Sequence, residues 1–450
     1  MKTLRLKSIV VALGATSALW SGAAGAAGFA LAEQSASGAG NAFAGAAAVA
    51  EDASTIFFNP AGLTRIKGSQ FIVAGHAINI DASYSSQSAI SAVGTPLTGG
   101  NGGNPGGTVF VPNLYYSTEI NPALVFGVGV NVPFGLTTDY DANWVGRYQA
   151  LKSDVKTINI NPTLAWKVNE AVSLGAGIDA QYIRAELSKA IDFGSICFGS
   201  FGALAPAVCA PGGFFPQAKD GSVKVEGHDW RYGFNLGALF QVSPETRIGV
   251  AYRSKISHEL SGGNASFSKP AGLPGPIAAS PTFTDSGAKA SITLPESFSL
   301  SVFSQINPQW AVLGDVTWTR WSRFKELRIR FDNGAPDSVT PEEWDDSYRV
   351  SLGASYQLNN AWKLRGGVAY DRTPVKDEFR TPRIPDNDRT WVAVGANYRL
   401  ATADSLDFAY SHGFLKDASL NKAEPPVGGT LVGKYDTKVD VLSVQYTHSF

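Results

Sequence analysis

From about Gln70 to Phe450 the chain alternates large apolar residues with small or polar ones. The segments "LVFGVGVNV" (Leu124 to Val132), "TININPTLAW" (Thr157 to Trp166) and "VSLGAGIDAQYIRAEL" (Val172 to Leu187) carry the pattern, and "RIGVAYRSKI", "SFSLSVFSQI", "YRVSLGASYQL" and "TWVAVGANYRL" repeat it. Successive side chains of a strand point to opposite faces. Each segment therefore predicts a strand with one apolar face and one face of Gly, Ser, Asn or Asp. Counting them predicts about fourteen strands, and no Pro/Ser/Thr-rich linker divides the series into separate domains.

In a soluble sandwich such apolar faces turn inward against each other, whereas in an outer-membrane barrel they turn outward into lipid. Three features favour the barrel. Tyr and Trp gather near strand ends, at Tyr115, Tyr116, Trp230, Trp310, Trp318, Trp321, Trp362 and Trp391, as interfacial girdles require. Connections alternate between short turns such as "KVNEA", "VSPE", "INPQ" and "LNNA" and long loops, with 192–224 and 262–285 the longest candidates. The chain also ends on an alternating strand, with Leu442, Val444, Tyr446, His448 and Phe450 on one face. The expected fold is all-β: a transmembrane antiparallel β-barrel of about 14 strands over 69–450. A lumen of that width leaks unless filled, and an N-terminal hatch (plug) over 27–68 is the available filler.

The first residues set the compartment. Lys2, Arg5 and Lys7 precede the short apolar stretch "SIVVALGATSALW", and Ala24-Gly25-Ala26 offers a cleavage site, so 1–26 reads as a signal peptide and the mature chain as starting at Ala27. Beyond it no run of about 18 apolar residues exists, which excludes a helical inner-membrane protein. The 37 basic and 38 acidic residues nearly balance, so a nucleic-acid partner is not expected. Cys197 and Cys209 could close a small loop by a disulfide in an exported chain, the alternative being two free thiols.

Three segments break the alternation. In "STIFFNPAGLTRI" Asn59 suits an N-cap, Pro60 the first position of a helical turn and Ala61 its continuation, a compact turn fit either for a lumen or for the surface. In "NVPFGLTTDY" Pro133, Phe134 and Gly135 interrupt the third strand, as a bulge, a break or simply its end. The two long loops carry Phe198, Phe201, Leu204, Phe214, Phe215, Phe267 and Leu273, a composition expected of a binding surface or of loops that pack on each other.

The stretch "AGFALAEQSASGAGNAFAGAAAVAEDASTIFFNPAGLTRI", with "NWVGRYQALKSDVKTININPTLAWKVN", "LPESFSLSVFSQINPQWAV", "WTRWSRF" and "RIPDNDRTWVAVGANYRL", resembles the FadL-like long-chain fatty acid and aromatic hydrocarbon transporters of the outer membrane. The resemblance spans Ala27 to Phe450. It implies a fourteen-stranded barrel with an N-terminal hatch, in which the Asn-Pro-Ala turn is part of the plug. Pro133–Gly135 would form an inward kink that opens the wall sideways, and the two loops would form a capture groove. It implies a ligand pocket beside Phe29 with a cation at Lys189. Where a second cation is expected, this chain has Thr340, so Arg328 or Arg330 would have to reach.

Catalysis is not expected. The histidines, His76, His228, His258, His412 and His448, show no metal-ligand spacing, no nucleophile elbow or phosphate loop is present, and Ser411 and His412 face opposite ways on one strand. No cofactor or metal is implied. The expected protein is a monomeric outer-membrane channel for passive, ligand-gated uptake of hydrophobic small molecules, in contact with outer-membrane lipid. Long-chain fatty acids are the first reading, uncharged aromatic hydrocarbons the second, and a structural or adhesive barrel the third.

Overall fold

The computed structural model describes residues 27–450; the expected signal peptide lies outside the described residues. Fourteen strands among the described residues form one antiparallel sheet that closes on itself. The first strand (Ser69–Ile90) pairs with the second (Gly107–Asn121) along one edge and with the fourteenth (Gly429–Ser449) along the other, Ile72 lying opposite both Tyr115 and Thr447. Eight strands run unbroken, among them the fourth (Lys152–Lys167), fifth (Val172–Asp192), sixth (Asp220–Gln241), eleventh (Trp362–Asp371) and twelfth (Arg389–Arg399). The other six are interrupted. These are the third (Leu124–Asn131, Gly135–Asp139), seventh (Thr246–Arg253, Ile256–Ser268) and eighth (Ser286–Leu294, Ser297–Gln305), and the ninth (Trp310–Thr319, Glu326–Phe331), tenth (Ser338–Pro341, Ser347–Gln357) and thirteenth (Asp404–Leu415, Ala418–Glu424).

The faces are arranged as lipid requires. Leu352 is 63% exposed between the buried Ser351 and half-buried Gly353, and Leu442 and Val444 are exposed around the buried Ser443. Hydrocarbon offers no hydrogen bonds, so a closed ladder with apolar side chains outward satisfies both the backbone and the bilayer. At the short-turn end Trp310 pairs with Tyr356 and Trp362 with Tyr398, ring centroids 4.7 and 4.5 Å apart, forming part of a girdle. Three expected girdle residues instead point inward: Tyr115, Trp321 and Trp391 are fully or almost fully buried. Each occupies the other parity of its strand or lies in a strand break, which an aromatic residue type does not reveal.

The strands reach further outward than their apolar pattern. The fifth and sixth pair as far as Asp192 opposite Asp220, and the seventh continues to Ser268, so the long loops begin and end inside the expected 192–224 and 262–285. Lys224, Glu226 and similar residues sit on ladder above the lipid, where the outward face is polar.

Residues 27–66 lie within the barrel as short helical turns, Ala36–Ala39, Ala46–Val49 and Thr55–Phe58, followed by a 3-10 turn, Pro60–Arg65. Ala36, Ala39, Ala42, Ala47 and Ala48 are buried. The wall meets them with glycine: a Cβ on Gly249 would lie 1.8 Å from the Ala47 carbonyl, and one on Gly237 1.9 Å from Asn59 Oδ1. Polar wall residues complete the seat. Arg365 is held between Glu51 of the hatch and Asp407 of the wall, both at 2.6 Å, and Lys363 reaches Glu51 at 2.7 Å. Buried pairs of this kind are costly to break because the surviving charge is left uncompensated.

Gly249→Val should expel Ala47 from its seat while leaving the ladder intact. The expected result in planar bilayers is a higher single-channel conductance from a barrel that still migrates as a folded species on unheated gels; unchanged conductance would show that the seat tolerates a side chain.

Candidate functional site

The hatch turn is built as its residues suggest. Asn59 is extended (φ −158°), and its Oδ1 accepts from the Ala61 amide at 3.0 Å, with Pro60 opening the 3-10 turn. Its Nδ2 donates to the carbonyls of Ala47 (2.6 Å) in the hatch and Ala238 (3.0 Å) in the sixth strand. One amide thus ties two parts of the hatch to the wall, and Asn235 Nδ2 adds a bond to the Ile56 carbonyl at 3.1 Å.

At the other end of the hatch, Gly28 (φ +67°) turns the chain where a Cβ would lie 2.6 Å from the Trp344 ring. The Ala27 amide donates to Asp371 Oδ2 (3.2 Å) and the Gly28 amide to Asp386 Oδ2 (2.9 Å). This directs Phe29 into an aromatic cluster, with ring centroids 4.8 Å from Trp321, 5.9 Å from Trp344, 6.0 Å from Phe134 and 6.2 Å from Phe324.

The third strand breaks beside this cluster. Leu31 N donates to the Pro133 carbonyl and Gly135 N to the Phe29 carbonyl, each at 2.9 Å, so the hatch supplies ladder bonds at the break. Pro133 and Phe134 lie outside the strand, while Gly135 is the first residue of its outer piece. The second strand pairs with the third only from Leu114 opposite Val130 downward, and the outer piece pairs with the fourth strand alone. Contact across the gap resumes at Asp139 N, which donates to the Pro105 carbonyl at 2.9 Å. Between these closures the wall has a window, and behind it stand Gln34, whose Nε2 donates to the Val132 carbonyl, and Glu33, whose carbonyl accepts from Asn113 Nδ2.

Two cavities flank the Phe29 cluster. The outer one is lined by Phe29, Leu136, Val155, Ile183, Leu260 and Ile329, with Glu342 and Arg383 as its charged members apart from residues of the outer wall. The inner one borders the third-strand break at Ala30, Leu31, Pro133 and Phe134 and includes Arg253, Arg349 and Asp371.

The cations expected in the pocket are elsewhere. Lys189 is ion-paired with Glu424 and is absent from the lining of both cavities. Arg328 is bound by Glu326 (2.7 Å) and Asp337 (2.9 Å), and Arg330 is 70% exposed. On this short strand Leu327 and Ile329 line the cavity, so the alternation turns both arginines to the opposite face. Thr340 sits opposite Leu327 in the neighbouring strand. Apart from Lys289 of the outer wall, which pairs with Asp332 at 2.8 Å, the cation in the lining of the outer cavity is Arg383, from the loop between the eleventh and twelfth strands. Its four hydrogen bonds go to neutral oxygens: the carbonyls of Lys152 (3.1 Å), Gln149 (3.0 Å) and Ser188 (3.3 Å), and Ser153 Oγ (3.0 Å). Burial lowers its basicity below the ordinary arginine value. Nothing in "RTPRIPDNDR" marks this arginine out, because its burial arises from loops far apart in the chain.

Outside, a disulfide ties Cys197, in a helix over Phe193–Phe201, to Cys209. Phe214 is fully buried against this core, so it belongs to the loop's interior and not to a capture surface. Phe198, Phe201, Phe267 and Leu273 are half-buried where the two loops pack together, with Phe193 and Phe283 5.0 Å apart, while Leu204 and Phe215 are exposed.

Comparison with known proteins identifies the architecture. The family model described as "Outer membrane protein transport protein (OMPP1/FadL/TodX)" matches residues 17–450. A putative outer membrane protein of Neisseria meningitidis serogroup B, NMB0088, is 34% identical over 429 residues, covering 90% of this chain and 91% of the relative. The long-chain fatty acid transport protein of Escherichia coli O6:H1 is 32% identical over 432 residues, covering 92% of each chain. The crystal structure of a Pseudomonas aeruginosa FadL homologue superimposes with a TM-score of 0.86 at 28% identity, covering 94% of this chain and 100% of that one.

Asn59→Ala removes three bonds that hold the hatch to itself and to the sixth strand, each of them worth on the order of 1 kcal/mol. The variant should assemble normally, yet limited proteolysis should cut its hatch faster than the native one; equal protection would show that the turn does not anchor the plug.

Proposed function

The chain belongs to the outer membrane protein transport family (OMPP1/FadL/TodX) and is an outer-membrane transporter of hydrophobic molecules, and we propose that its cargo is a long-chain fatty acid. The observation that carries this reading is a half-buried arginine, hydrogen-bonded only to neutral oxygens, at one edge of a cavity whose lining is mostly apolar apart from Glu342 and the wall residues Glu226 and Lys289. An uncharged hydrocarbon has no use for such a cation. A carboxylate with an apolar tail uses both parts of the site.

The energetics fit an amphiphile. Burying a methylene contributes about 0.8 kcal/mol, so a long acyl chain could gain on the order of 10 kcal/mol before the costs of association. Leaving its carboxylate unpaired would forfeit several kcal/mol, and Arg383 offsets that loss. The loop surface with Leu204 and Phe215 would collect the ligand first. In the outer cavity the tail would lie against Phe29, Leu136 and Ile183. Because Phe29 and its aromatic neighbours stand between the two cavities, passage requires the start of the hatch to move. The same movement releases the ladder bonds at Pro133 and Gly135, so displacement of Phe29 and widening of the third-strand window would be one event. Lateral release into the bilayer follows from that coupling, and no energy input is needed.

Glu342 makes the site pH-sensitive. It lies between the two pieces of the tenth strand, outside the lipid band that begins at Tyr348, and accepts from Trp344 Nε1 at 3.0 Å. Burial raises its pKa to about 7, against the opposing effects of the Trp344 bond and the charges of Lys422 and Arg383. Above that pH an ionised Glu342 repels a ligand carboxylate; below it the neutral acid does not.

Arg383→Gln should weaken binding of a fluorescent long-chain acid about tenfold or more, the equivalent of one charge-assisted hydrogen bond, and leave binding of an uncharged aromatic hydrocarbon unchanged. Lys189→Ala should alter neither. Equal loss for both ligands, or for neither, would favour the hydrocarbon reading. Fatty acid binding should also strengthen between pH 8 and pH 6, and Glu342→Gln should flatten that profile at its low-pH level.

A further inference from the structure

The barrel has a second discontinuity, between the sixth and seventh strands. Their ladder runs from Gln241 opposite Arg247 to Asn235 opposite Arg253, and resumes only at Glu226 opposite Asn264. Nine steps along the sixth strand thus face eleven along the seventh. Beyond a last bond from the Ser254 amide to the Phe234 carbonyl at 2.9 Å the registered pairing is lost, although the sixth strand stays fully paired with the fifth. Side chains fill the interval. Asp229 Oδ2 accepts from the Glu259 amide at 2.9 Å and lies 3.2 Å from Arg231 Nε and 3.4 Å from His258 Nδ1. Arg231, on the inward parity of its strand, reaches through the seam to Glu259 (3.0 Å), whose side chain is 70% exposed on the other face.

The position of the seam matters. On the sixth strand the outward residues are apolar up to Tyr232 and Trp230, whereas on the seventh they turn polar directly after Tyr252, at Lys255, Ser257 and Glu259. The seam therefore straddles the outer edge of the apolar band. Its inner side is the outer cavity, whose lining includes Glu226, Gly227, Leu260 and Gly263. The two glycines meet there without side chains: a Cβ on Gly227 would lie 3.4 Å from Gly263 Cα. Above the bonds that join Phe234 to Ser254 and the buried Ile256 and His258, this glycine contact, Leu260 and the Asp229–Arg231–Glu259 latch separate an apolar cavity from the outer interface.

We propose that this seam is a side portal, through which a single-chain amphiphile lying at the outer interface threads its tail into the cavity. The polar head would stay at the interface beside Arg231 until the tail is seated, and the latch would open by exchanging Glu259 for that head. The inference rests on the reading of the outer cavity as an acyl-chain site. It adds a lateral route for admission on the wall away from the third-strand window.

A disulfide across the seam tests it. In the pair Gly227→Cys and Gly263→Cys, a Cβ on either residue lies 3.4 or 3.5 Å from the other's Cα, close enough to attempt a disulfide, and the purified full barrel in lipid nanodiscs can be assayed by stopped flow with a fluorescent long-chain acid. Oxidation should slow association and dissociation together by about fivefold, leaving affinity unchanged, because a portal controls access and not the site. Reductant should restore both rates, while wild type, whose native disulfide is reduced in parallel, should not respond. A new Cβ at Gly263 lies 2.7 Å from the carbonyls of Glu226 and Ala288. If that crowding prevents assembly, Glu259→Gln with Arg231→Gln gives the converse test, with both rates rising. Rates that are unchanged in all variants, with affinity intact, overturn the portal alone. Absence of acid binding by the wild-type barrel overturns the acyl-chain reading and the portal with it.

Discussion

A backbone that crosses hydrocarbon must satisfy its own hydrogen bonds, and nearly every feature of this molecule follows from how it meets that demand. Where the ladder is continuous the wall is closed and featureless. Where it stops, another group takes over. At the third strand the substitutes are main-chain groups of the hatch, Phe29 and Leu31. Between the sixth and seventh strands they are the side chains of Asp229, which accepts from the Glu259 amide, and Ser254, whose Oγ accepts from the Phe234 amide. Near the break in the eighth strand, the Arg320 amide donates to the Glu296 carbonyl at 3.0 Å, and the Glu296 side chain is held by Arg323 at 2.6 Å and by Arg320 at 3.3 Å. A ladder of identical backbone bonds has no reason to open, but substituted bonds can be exchanged for contacts with a ligand.

The same constraint explains the chemistry of the lumen. With apolar side chains committed to lipid, the inner face is left to Asn, Ser, Asp and Arg, and the hatch that fills it must be polar in its bonding though small in its side chains. The buried alanines let the chain approach Gly249 and Gly237, while Asn59, Asn235 and Arg365 hold its carbonyls and carboxylates in place. Such a plug is anchored by directional bonds at a few points. Its first residues lie beside a break in the wall, whereas Asn59 is tied to intact ladder. Displacement is therefore easier at Phe29 than at the Asn-Pro-Ala turn.

An apolar cavity inside a polar lumen is the exception on which the proposed function rests. It is assembled where strands rise above the lipid and no longer need an outward apolar face, so Leu136, Val155, Ile183 and Ile329 can turn inward. The cavity lining and the membrane-spanning face are thus divided along the length of the same strands. Arg383, Glu342 and the Phe29 cluster then meet the cavity from loops and from the hatch, the parts of the chain least bound by the ladder.

Alternation along the chain was enough to mark the strands and their approximate number, because a strand's two faces are written directly into a period of two. The outward direction of the apolar faces came from the aromatic residues, the alternating loop lengths and the terminal strand, and the filler from the width of the lumen. The Asn-Pro-Ala turn and the Pro133 break were legible for the same kind of reason: proline and its neighbours act on their own backbone. Side-chain destinations were not. Lys189 looked like a ligand for a carboxylate, and only the fold brings Glu424 beside it from 235 residues away. Arg328 and Arg330 looked available until parity turned Leu327 and Ile329 inward in their place. Tyr115, Trp321 and Trp391 have the residue type of a girdle but serve the interior. Arg383 and the seam at Gly227 and Gly263 carried no local signal, since both arise where distant segments meet. Local geometry is encoded locally, whereas pairing between charges, and the register at which two strands part, is decided only once the barrel has closed.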